Sequence, residues 1–444
     1  MRRILESKLL DWRNRTTKRP LILQGARQVG KSWLMKWLGE NHYEKMARFN
    51  FEERPELGDF FRQNKDPDRI LQSLSMVCGF GIDEKTLLIL DEIQECPEAL
   101  NSLKYFSETR PEISIICAGS LLGILLRSGH SFPVGKVEFM HVYPMTFREV
   151  LPYWDQRSAA FLEQLDGFDE IPDLFFNDLR NQFKKYLITG GLPAVVSDFT
   201  ANSDTEKCES NLANLLHSYR NDFAKHPVMK DVARIDQVFS SLPAQLAKEN
   251  KKFIYQLLRG SARAKEYEDA LNWLVQAGLV VRVQRIEKPG IPLSAYEDRQ
   301  VFKLFALDVG ILRKMARLHP MAYAEGNRLF TEFKGALSEN YILQSLLTQL
   351  EEAPAYWTSG NMAVVDFLIQ FENEVIPIEV KSDENVKSRS LAVYHQKYQP
   401  RLRIRYSLRN LQYRDGLLNL PLFMADYSKE FIERILANRK TALQ

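Results

Sequence analysis

The sequence predicts an α/β chain with a parallel sheet near its N-terminus, followed by helical and mixed segments. Three observations support this prediction. Between positions 20 and 142, short apolar runs alternate with helical patterns, which is the order that a parallel sheet with crossover helices requires. Residues 159–226 have almost wholly helical patterns. From about position 331 the patterns give a helix, three strands, a helix, a strand and a final helix.

Length and composition limit the classes of protein that fit. With 444 residues, and roughly 100 to 200 residues per domain, we expect two to four domains. Hydrophobic residues make up 45% and charged residues 26% of the chain, which excludes wholesale disorder and fibrous repeats. The net charge of +3 is too small to indicate a nucleic-acid or membrane partner by itself. No stretch is apolar over the about 20 residues that a membrane helix needs.

Cysteine usage predicts a reducing, cytoplasmic setting. The chain has four cysteines, none in a spacing typical of a disulfide framework or a zinc finger.

The patterns divide the chain into four segments. Thr146 and Glu149 have the spacing of a capping box, so we expect a helix to start there and to close the first domain. After position 229, predicted helices are followed by the strand LVVRV, and Gly278 is placed to end the last of these helices. This order of elements has the outline of a helix-turn-helix with a wing. The predicted segments are a first α/β domain at 1–155, a helical lid or connector at 156–228, a winged-helix-like domain at 229–325 and a C-terminal α/β domain at 326–444.

A glycine-rich loop follows the predicted strand PLILQ and opens an amphipathic helix, and it fits the pattern GxxxxGK[ST]. Such a loop folds tightly round an anion, so that backbone N–H groups and the helix N-terminus point at phosphates. We expect Lys31 to bind the β and γ phosphates and Ser32 to hold Mg²⁺. A loop that is glycine-spaced by chance is the alternative, which the strand and helix context disfavours. The predicted nucleotide-binding residues of the loop are Gly25, Ala26, Arg27, Gln28, Val29, Gly30, Lys31 and Ser32.

A second apolar strand, LLILD, ends in the carboxylates Asp91 and Glu92 and resembles a Walker B strand. We expect Asp91 to complete the Mg²⁺ shell through water and Glu92 to polarise the water that attacks the γ-phosphate. The next strand ends at Ser120, which is predicted to orient that water. An N-cap role for Ser120 is an equally good interpretation and is compatible with the first.

These motifs, together with YPMTFRE at 143–149, resemble the prokaryotic AAA-type ATPases that carry a C-terminal domain of unknown function. The match runs through GGLP at 190–193 and YRND at 219–222 to the end of the chain. The resemblance implies ATP binding in a P-loop NTPase parallel sheet, a helical lid, a winged-helix middle and a C-terminal restriction-endonuclease-like α/β domain.

The resemblance also concerns an arginine that acts on a neighbouring subunit's phosphate, which would make the protein a homo-oligomer. Family members often have Gly-Arg before the fifth strand, whereas this chain has Gly135 and Lys136. Arg127, near the end of the helix after Ser120, is the alternative arginine for this role. The other interpretation is that Arg127 is an ordinary solvated helix residue.

Four residues of the last segment resemble the PD-(D/E)xK nuclease arrangement. Asp366 lies on one predicted strand, Glu379 and Lys381 share a face of the next, and Glu339 lies on the preceding helix. In addition to the Mg²⁺ expected with ATP, the carboxylates of this arrangement would hold a second divalent metal, which activates water for attack on a phosphodiester. Val364 stands where the family often has a further glutamate, and a nuclease-like domain that only binds is the alternative.

A stripe of basic residues lies after the four nuclease-like residues in the sequence. Arg401, Arg403 and Arg405 recur at period two, with Arg409 just beyond, so phosphates of DNA or RNA are one predicted partner. A charged edge strand that resists aggregation is the other interpretation.

In the winged-helix segment, the helix that would enter the major groove carries Glu266, Glu268 and Asp269. Phosphates would repel these carboxylates, so a protein contact or an architectural role is predicted there.

These observations together predict a cytoplasmic, Mg²⁺-dependent ATPase that converts ATP to ADP and phosphate, whose nucleotide state controls the C-terminal domain. The alternative is a nucleotide-gated switch that binds a protein partner, with little hydrolysis and no nuclease activity.

Overall fold

The computed structural model describes residues 1–119, 135–224, 229–248, 251–320, 331–360, 363–382 and 389–441. The chain forms two compact units. The N-terminal unit consists of Arg2–Tyr143 and Trp273–Leu279, and the C-terminal unit consists of Met1, Pro144–Asn272 and Val280–Gln444.

The N-terminal unit contains a five-stranded sheet in the order β2-β3-β4-β1-β5, in which all neighbours run parallel. The parallel sheet predicted from the alternating pattern is therefore confirmed. β3 and β4 are buried at every residue, as expected for central strands with both faces covered. The strands are β1 (Leu21–Gln24), β2 (Lys45–Asn50), β3 (Thr86–Asp91), β4 (Ser114–Gly119) and β5 (Glu138–His141).

Helices cover this sheet. The first helix buries Leu9 and Trp12 completely. A large core cluster joins side chains of β2, β3 and β4 to the helices around them, with Phe49, Leu88 and Phe106 among its members. The helices are α1 (Leu5–Arg13), α2 (Lys31–His42), α3 (Gly58–Gln63), α4 (Pro67–Cys78) and α5 (Pro97–Thr109).

The first described elements of the C-terminal unit after Pro144 are six helices. The predicted capping box is present: the Thr146 hydroxyl accepts from the Glu149 N–H, and the Glu149 carboxylate accepts from the Thr146 N–H. These helices agree with the almost wholly helical pattern at 159–226. They are α6 (Phe147–Trp154), α7 (Gln156–Glu163), α8 (Asp173–Thr189), α9 (Pro193–Asn202), α10 (Thr205–Phe223) and α11 (Met229–Leu246).

The GGLP segment between α8 and α9 belongs to a buried polar network. Asp308 is fully buried, and its carboxylate accepts from the Gly191 N–H at 2.7 Å and from the Gln344 side chain at 3.3 Å. Gly190 has a φ of 68°, and a Cβ there would lie 2.0 Å from Asp308 Oδ1. Glycine is therefore required at this position by both backbone conformation and space.

In its described residues, the remainder of the unit forms an eight-stranded mixed sheet with α12 and four further helices. The strand order is β12-β13-β11-β10-β9-β8-β6-β7. The helices are α12 (Ala264–Gln276), α13 (Val309–Met315), α14 (Thr331–Gln349), α15 (Arg389–Tyr398) and α16 (Ser428–Thr441). The strands are β6 (Val280–Ile286), β7 (Glu297–Ala306), β8 (Ala355–Thr358), β9 (Val364–Phe371), β10 (Glu374–Val380), β11 (Arg403–Ser407), β12 (Gln412–Arg414) and β13 (Leu417–Pro421).

The strand predicted as a wing, LVVRV, forms part of β6 and joins this sheet together with β7. β6 pairs with β8 through Arg285 opposite Tyr356 and Ile286 opposite Trp357, so the sheet crosses the predicted boundary between the winged-helix-like and C-terminal domains. The division into four domains stays a prediction. The C-terminal order of elements agrees with the pattern, with β12 and β13 as an additional hairpin. In the described parts of the chain, no helix has both the length and the hydropathy to cross a membrane.

Candidate functional site

The predicted phosphate-binding loop connects β1 to α2. Gly25 has a φ of 147° and Gly30 a φ of 98°. A Cβ on Gly25 would lie 2.2 Å from the Val142 carbonyl oxygen, so glycine allows the loop to pass directly over the chain that leaves β5. Helix α2 begins at Lys31 without a side-chain cap. Its first-turn N–H groups are thus not taken by a capping side chain, as an anion-binding helix terminus requires.

Lys31 lies inside this loop. Its side chain is 7% exposed, and its Nζ donates to the carbonyl oxygens of Gly25 at 2.9 Å and Ala26 at 2.7 Å. Burial lowers the pKa of Lys31 to about 8, although the nearby Glu92 and Asp91 carboxylates act in the opposite direction. The ammonium is therefore easy to neutralise compared with a surface lysine.

Asp91, at the end of β3, connects the loop to the sheet. Its Oδ1 accepts from Ser32 Oγ at 3.2 Å, and its Oδ2 lies 3.0 Å from Arg48 Nη2. The carboxylate is 2% exposed. β3 and β1 are separated by one strand in the sheet, and their carboxyl ends meet at the same edge. The parallel sheet thus brings the two predicted Mg²⁺ ligands, Ser32 and Asp91, within hydrogen-bond distance.

Glu92 follows Asp91 in a left-handed conformation, with a φ of 52°. Its Oε2 accepts from Gln94 Nε2 at 2.6 Å, and its charge acts on Lys31. The turn after β3 therefore brings the second carboxylate close enough to the loop lysine for the two charges to interact. Ser120 and Arg127, the other two predicted catalytic residues, lie outside the described residues. Lys136, the departure from the family pattern, forms an ion pair with Glu108 at 3.0 Å.

Two arginines at this site were missed by sequence reasoning. Arg48 lies on β2 between the buried Ala47 and Phe49; this alternation, on the strand next to β3, is the signal that could have identified it. Arg3 is 6% exposed and donates to the carbonyl oxygens of Val29 at 2.9 Å and Tyr143 at 2.8 Å. No local pattern indicates this second contact, because Arg3 and Tyr143 are 140 positions apart.

The family model of the AAA domain matches residues 17–151. These residues form an AAA-type P-loop domain. The AAA domain contains the complete loop, β3 and its two carboxylates, and the predicted AAA-type core is confirmed. Two further family models match, both domains of unknown function: DUF8612 at residues 180–322 and DUF4143 at residues 334–423. Neither match confirms the predicted winged-helix or restriction-endonuclease-like character of those segments.

Several solved structures are similar to the chain. A Walker-type ATPase of Pyrococcus abyssi is 16% identical, with 71% of this chain and 95% of that chain covered and a TM-score of 0.45. The RuvB Holliday junction branch migration motor of Thermotoga maritima is 14% identical, with 63% and 85% covered and a TM-score of 0.28. The Orc1 protein of Aeropyrum pernix, in complex with DNA, is 12% identical, with 73% and 95% covered and a TM-score of 0.27. No curated protein matches the chain.

The C-terminal unit brings the four nuclease-like residues together. Glu379 Oε1 lies 2.6 Å from Lys381 Nζ, and Asp366 Oδ2 accepts from the Val380 N–H at 2.8 Å. Glu339 and Glu379 are each 4% exposed. The carboxylate of Glu339 on its helix and those of Asp366 and Glu379 on their strands therefore belong to one cluster, as predicted.

Two lysines that the sequence did not predict also belong to this cluster. Lys251 forms an ion pair with Glu339, and Lys303 Nζ lies 3.7 Å from Glu339 Oε2 and 4.0 Å from Asp366 Oδ1. Among the described residues, no group of three or more His, Cys, Asp or Glu side chains is arranged to hold a metal ion. The predicted second divalent metal is not supported, because ammonium groups lie among the carboxylates that would ligate it.

The arginine stripe is largely paired within the unit. Arg401 lies 3.1 Å from Glu374, Arg403 donates to the Asp415 carbonyl oxygen at 2.5 Å, and Arg405 donates to Asn419 at 2.9 Å. Leu402, Ile404 and Tyr406 are buried between them, as the period of two requires. Arg401 precedes the strand, which starts at Arg403, and Arg409 lies exposed beyond its end.

Proposed function

We propose that the chain binds ATP with Mg²⁺ and hydrolyses it to ADP and phosphate. The observation that carries this proposal is the hydrogen bond between Ser32 of the loop and Asp91 of β3. This bond joins a hydroxyl of the loop to a carboxylate at the end of β3. The match of residues 17–151 to the AAA domain supports the same conclusion.

The side chains at this edge suit a magnesium ion. Ser32 and Asp91 present hard oxygen donors, and Mg²⁺ prefers such ligands with several waters retained. Ser32 would hold the ion directly and Asp91 would hold it through water; when bound, the ion supplies positive charge that screens the phosphate oxygens. The loop from Gly25 to Ser32 would cradle the phosphates with its N–H groups.

Lys31 and Glu92 have separate proposed roles. Lys31 would exchange its two carbonyl contacts for the β and γ phosphates, adding positive charge where negative charge increases during transfer. Glu92 would accept a hydrogen bond from the attacking water and orient it. Ser120 and Arg127 keep their predicted roles, in orienting the water and in stabilising the phosphate of a neighbouring subunit.

Phosphate release with saturating ATP and Mg²⁺ tests these roles. Glu92→Gln should bind ATP normally but release phosphate on the order of 100-fold more slowly. Lys31→Ala should lose ATP binding. The matched controls are Glu95→Gln, at an exposed position of the same turn, and Lys36→Ala, at an exposed position of α2. If wild type and Glu92→Gln release phosphate equally, Glu92 does not activate water. If wild type gives no heat on titration with ATP, the proposal fails.

We also propose that the nucleotide state controls binding by the C-terminal unit. The presence of Lys251 and Lys303 among the carboxylates favours binding over cleavage. The exposed arginines of the stripe, Arg401 and Arg409, support nucleic acid as the partner. Binding to DNA or RNA should then weaken with rising salt, and Arg409→Glu should weaken it further. If binding is indifferent to salt and to this substitution, the stripe has no part in it and the protein-partner alternative is preferred.

A further inference from the structure

Two lysines of the carboxylate cluster in the C-terminal unit, Lys251 and Lys303, lie outside the predicted nuclease-like segment. Lys303 lies on β7, and Lys251 lies between α11 and α12, whereas Glu339, Asp366 and Glu379 lie on α14, β9 and β10. Both lysines fall within the stretch that matches one domain of unknown function, at 180–322, and all three carboxylates fall within the other, at 334–423. The cluster is therefore assembled by two different stretches of chain.

Curvature of the sheet makes this assembly possible. In the strand order, β8 and β6 separate β9 from β7, so a flat sheet would hold β7 about 14 Å from β9 at the usual spacing of neighbouring strands. Yet Lys303 Nζ lies 4.0 Å from Asp366 Oδ1, and the rings of Phe305 and Phe367 lie 5.8 Å apart. The sheet must therefore bend so that β7 faces β9.

Lys303 is held firmly inside this bend. It is 1% exposed, and its ammonium lies 4.9 Å from the centre of the Tyr356 ring as well as close to Glu339 and Asp366. A buried ammonium is stable only when it is paired. The three ammonium groups of Lys251, Lys303 and Lys381 face three carboxylates, so the cluster is charge-balanced by the protein itself.

A divalent cation placed among these carboxylates would meet two positive charges that are already close to Glu339 and Asp366. Glu339 Oε1 is occupied by Lys251, and Asp366 Oδ2 by the Val380 N–H. Within the described part of the chain, the second carboxylate oxygens of Glu339 and Glu379 have no hydrogen-bond partner. Lys303 Nζ lies 3.7 Å from the second oxygen of Glu339, so this ammonium would repel a cation bound there.

We infer that Lys251 and Lys303 act as built-in counter-ions in the place of a metal, and that the C-terminal unit keeps this nuclease-like cluster without a divalent cation. The unit accordingly does not cleave phosphodiesters at this cluster. The inference concerns a site separate from the AAA domain and does not depend on ATP hydrolysis.

Mn²⁺ binding in the absence of nucleotide tests this inference on the full chain. Wild type should show no Mn²⁺ site that depends on Glu379. The double substitution Lys251→Met with Lys303→Met should gain a Mn²⁺ site, at least about tenfold tighter than any in wild type, and Mn²⁺ should raise its melting temperature. Adding Glu379→Gln should abolish the gain. Lys429→Met, at an exposed lysine of the same unit, is the matched control and should gain nothing.

Two results would overturn the inference. One is a folded double variant that binds no more Mn²⁺ than wild type, because the lysines would then not be what excludes the metal. The other is Mn²⁺ binding or plasmid cleavage by wild type that Glu379→Gln removes. If the double variant does not fold, the comparison of wild type with Glu379→Gln decides the question, and equal Mn²⁺ binding by the two supports the inference.

Discussion

Arg48 Nη2 lies 3.0 Å from Asp91 Oδ2, and this ion pair joins the second strand of the AAA domain to the carboxylate that also accepts from Ser32. Asp91 is 2% exposed, whereas Arg48 is 26% exposed. Arg48 therefore supplies the positive charge that a buried carboxylate needs before any ligand is present. Arg48 and Ser32 contact different oxygens of Asp91, Oδ2 and Oδ1 respectively.

The ion pair should contribute measurably to stability. Arg48→Ala leaves the Asp91 carboxylate buried without its cation, so we expect the free energy of unfolding to fall by on the order of 2 kcal/mol. Arg48→Ala combined with Asp91→Asn should recover much of this loss in a double-mutant cycle followed by urea unfolding. Arg110→Ala, which removes an exposed ion pair with Asp68, is the control and should change little. Strict additivity of the Arg48 and Asp91 changes would contradict the coupling.

Arg3 should affect ATP affinity from a distance. Its guanidinium holds the carbonyl oxygens of Val29 in the loop and Tyr143 after β5, and loss of both bonds would loosen the loop backbone. We expect Arg3→Ala to raise the Kd for ATP about tenfold, which corresponds to about 1.4 kcal/mol, and Arg3→Lys to recover part of it. Calorimetric titration measures this. Arg2→Ala is the control, because the Arg2 side chain is 90% exposed; an equal effect there would show that only the terminal charge matters.

ATP binding should depend on pH through Lys31. Burial lowers the pKa of this lysine to about 8 in the folded protein, and phosphates bind the ammonium form. Affinity should therefore be full below pH 8 and fall as the pH rises above it, by up to about tenfold per pH unit. Lys31→Arg keeps its charge throughout this range, so any binding that it retains should be independent of pH. An unchanged wild-type Kd from pH 7 to pH 10 would contradict the prediction.

The GGLP turn should be sensitive to a single added methyl group. Gly190→Ala would place Cβ 2.0 Å from Asp308 Oδ1 in a left-handed conformation, so we expect a loss of more than about 3 kcal/mol in unfolding free energy. Gly360→Ala is the matched control: that residue also has a positive φ, of 62°, but nothing lies within 4 Å of the added atom. It should lose only about 1 kcal/mol. Equal losses in urea unfolding would show that the contact with Asp308 is unimportant.

Local patterns were sufficient for much of the AAA domain. The glycine spacing and helix of the loop, the buried strand β3 with its carboxylates, and the capping box at Thr146 all depend on residues a few positions apart. In the C-terminal unit, the resemblance to the nuclease arrangement predicted that Glu339, Asp366, Glu379 and Lys381 lie close together. It also predicted a divalent metal there, which is not supported, because Lys251 and Lys303 lie among these carboxylates.

The amino-acid sequence alone determined the parallel sheet, the phosphate loop and the position of its acidic strand end, because periodicity and turn chemistry act over short stretches. Only the tertiary structure decided that Arg3 holds the loop, that Arg48 pairs with Asp91, and that β6 and β7 join the C-terminal sheet. Those contacts depend on how strands order and bend, and on burial that forces distant charges to pair. The stabilising free energy of these contacts comes from pairs of residues that are far apart in the chain, so no local sequence pattern indicates them.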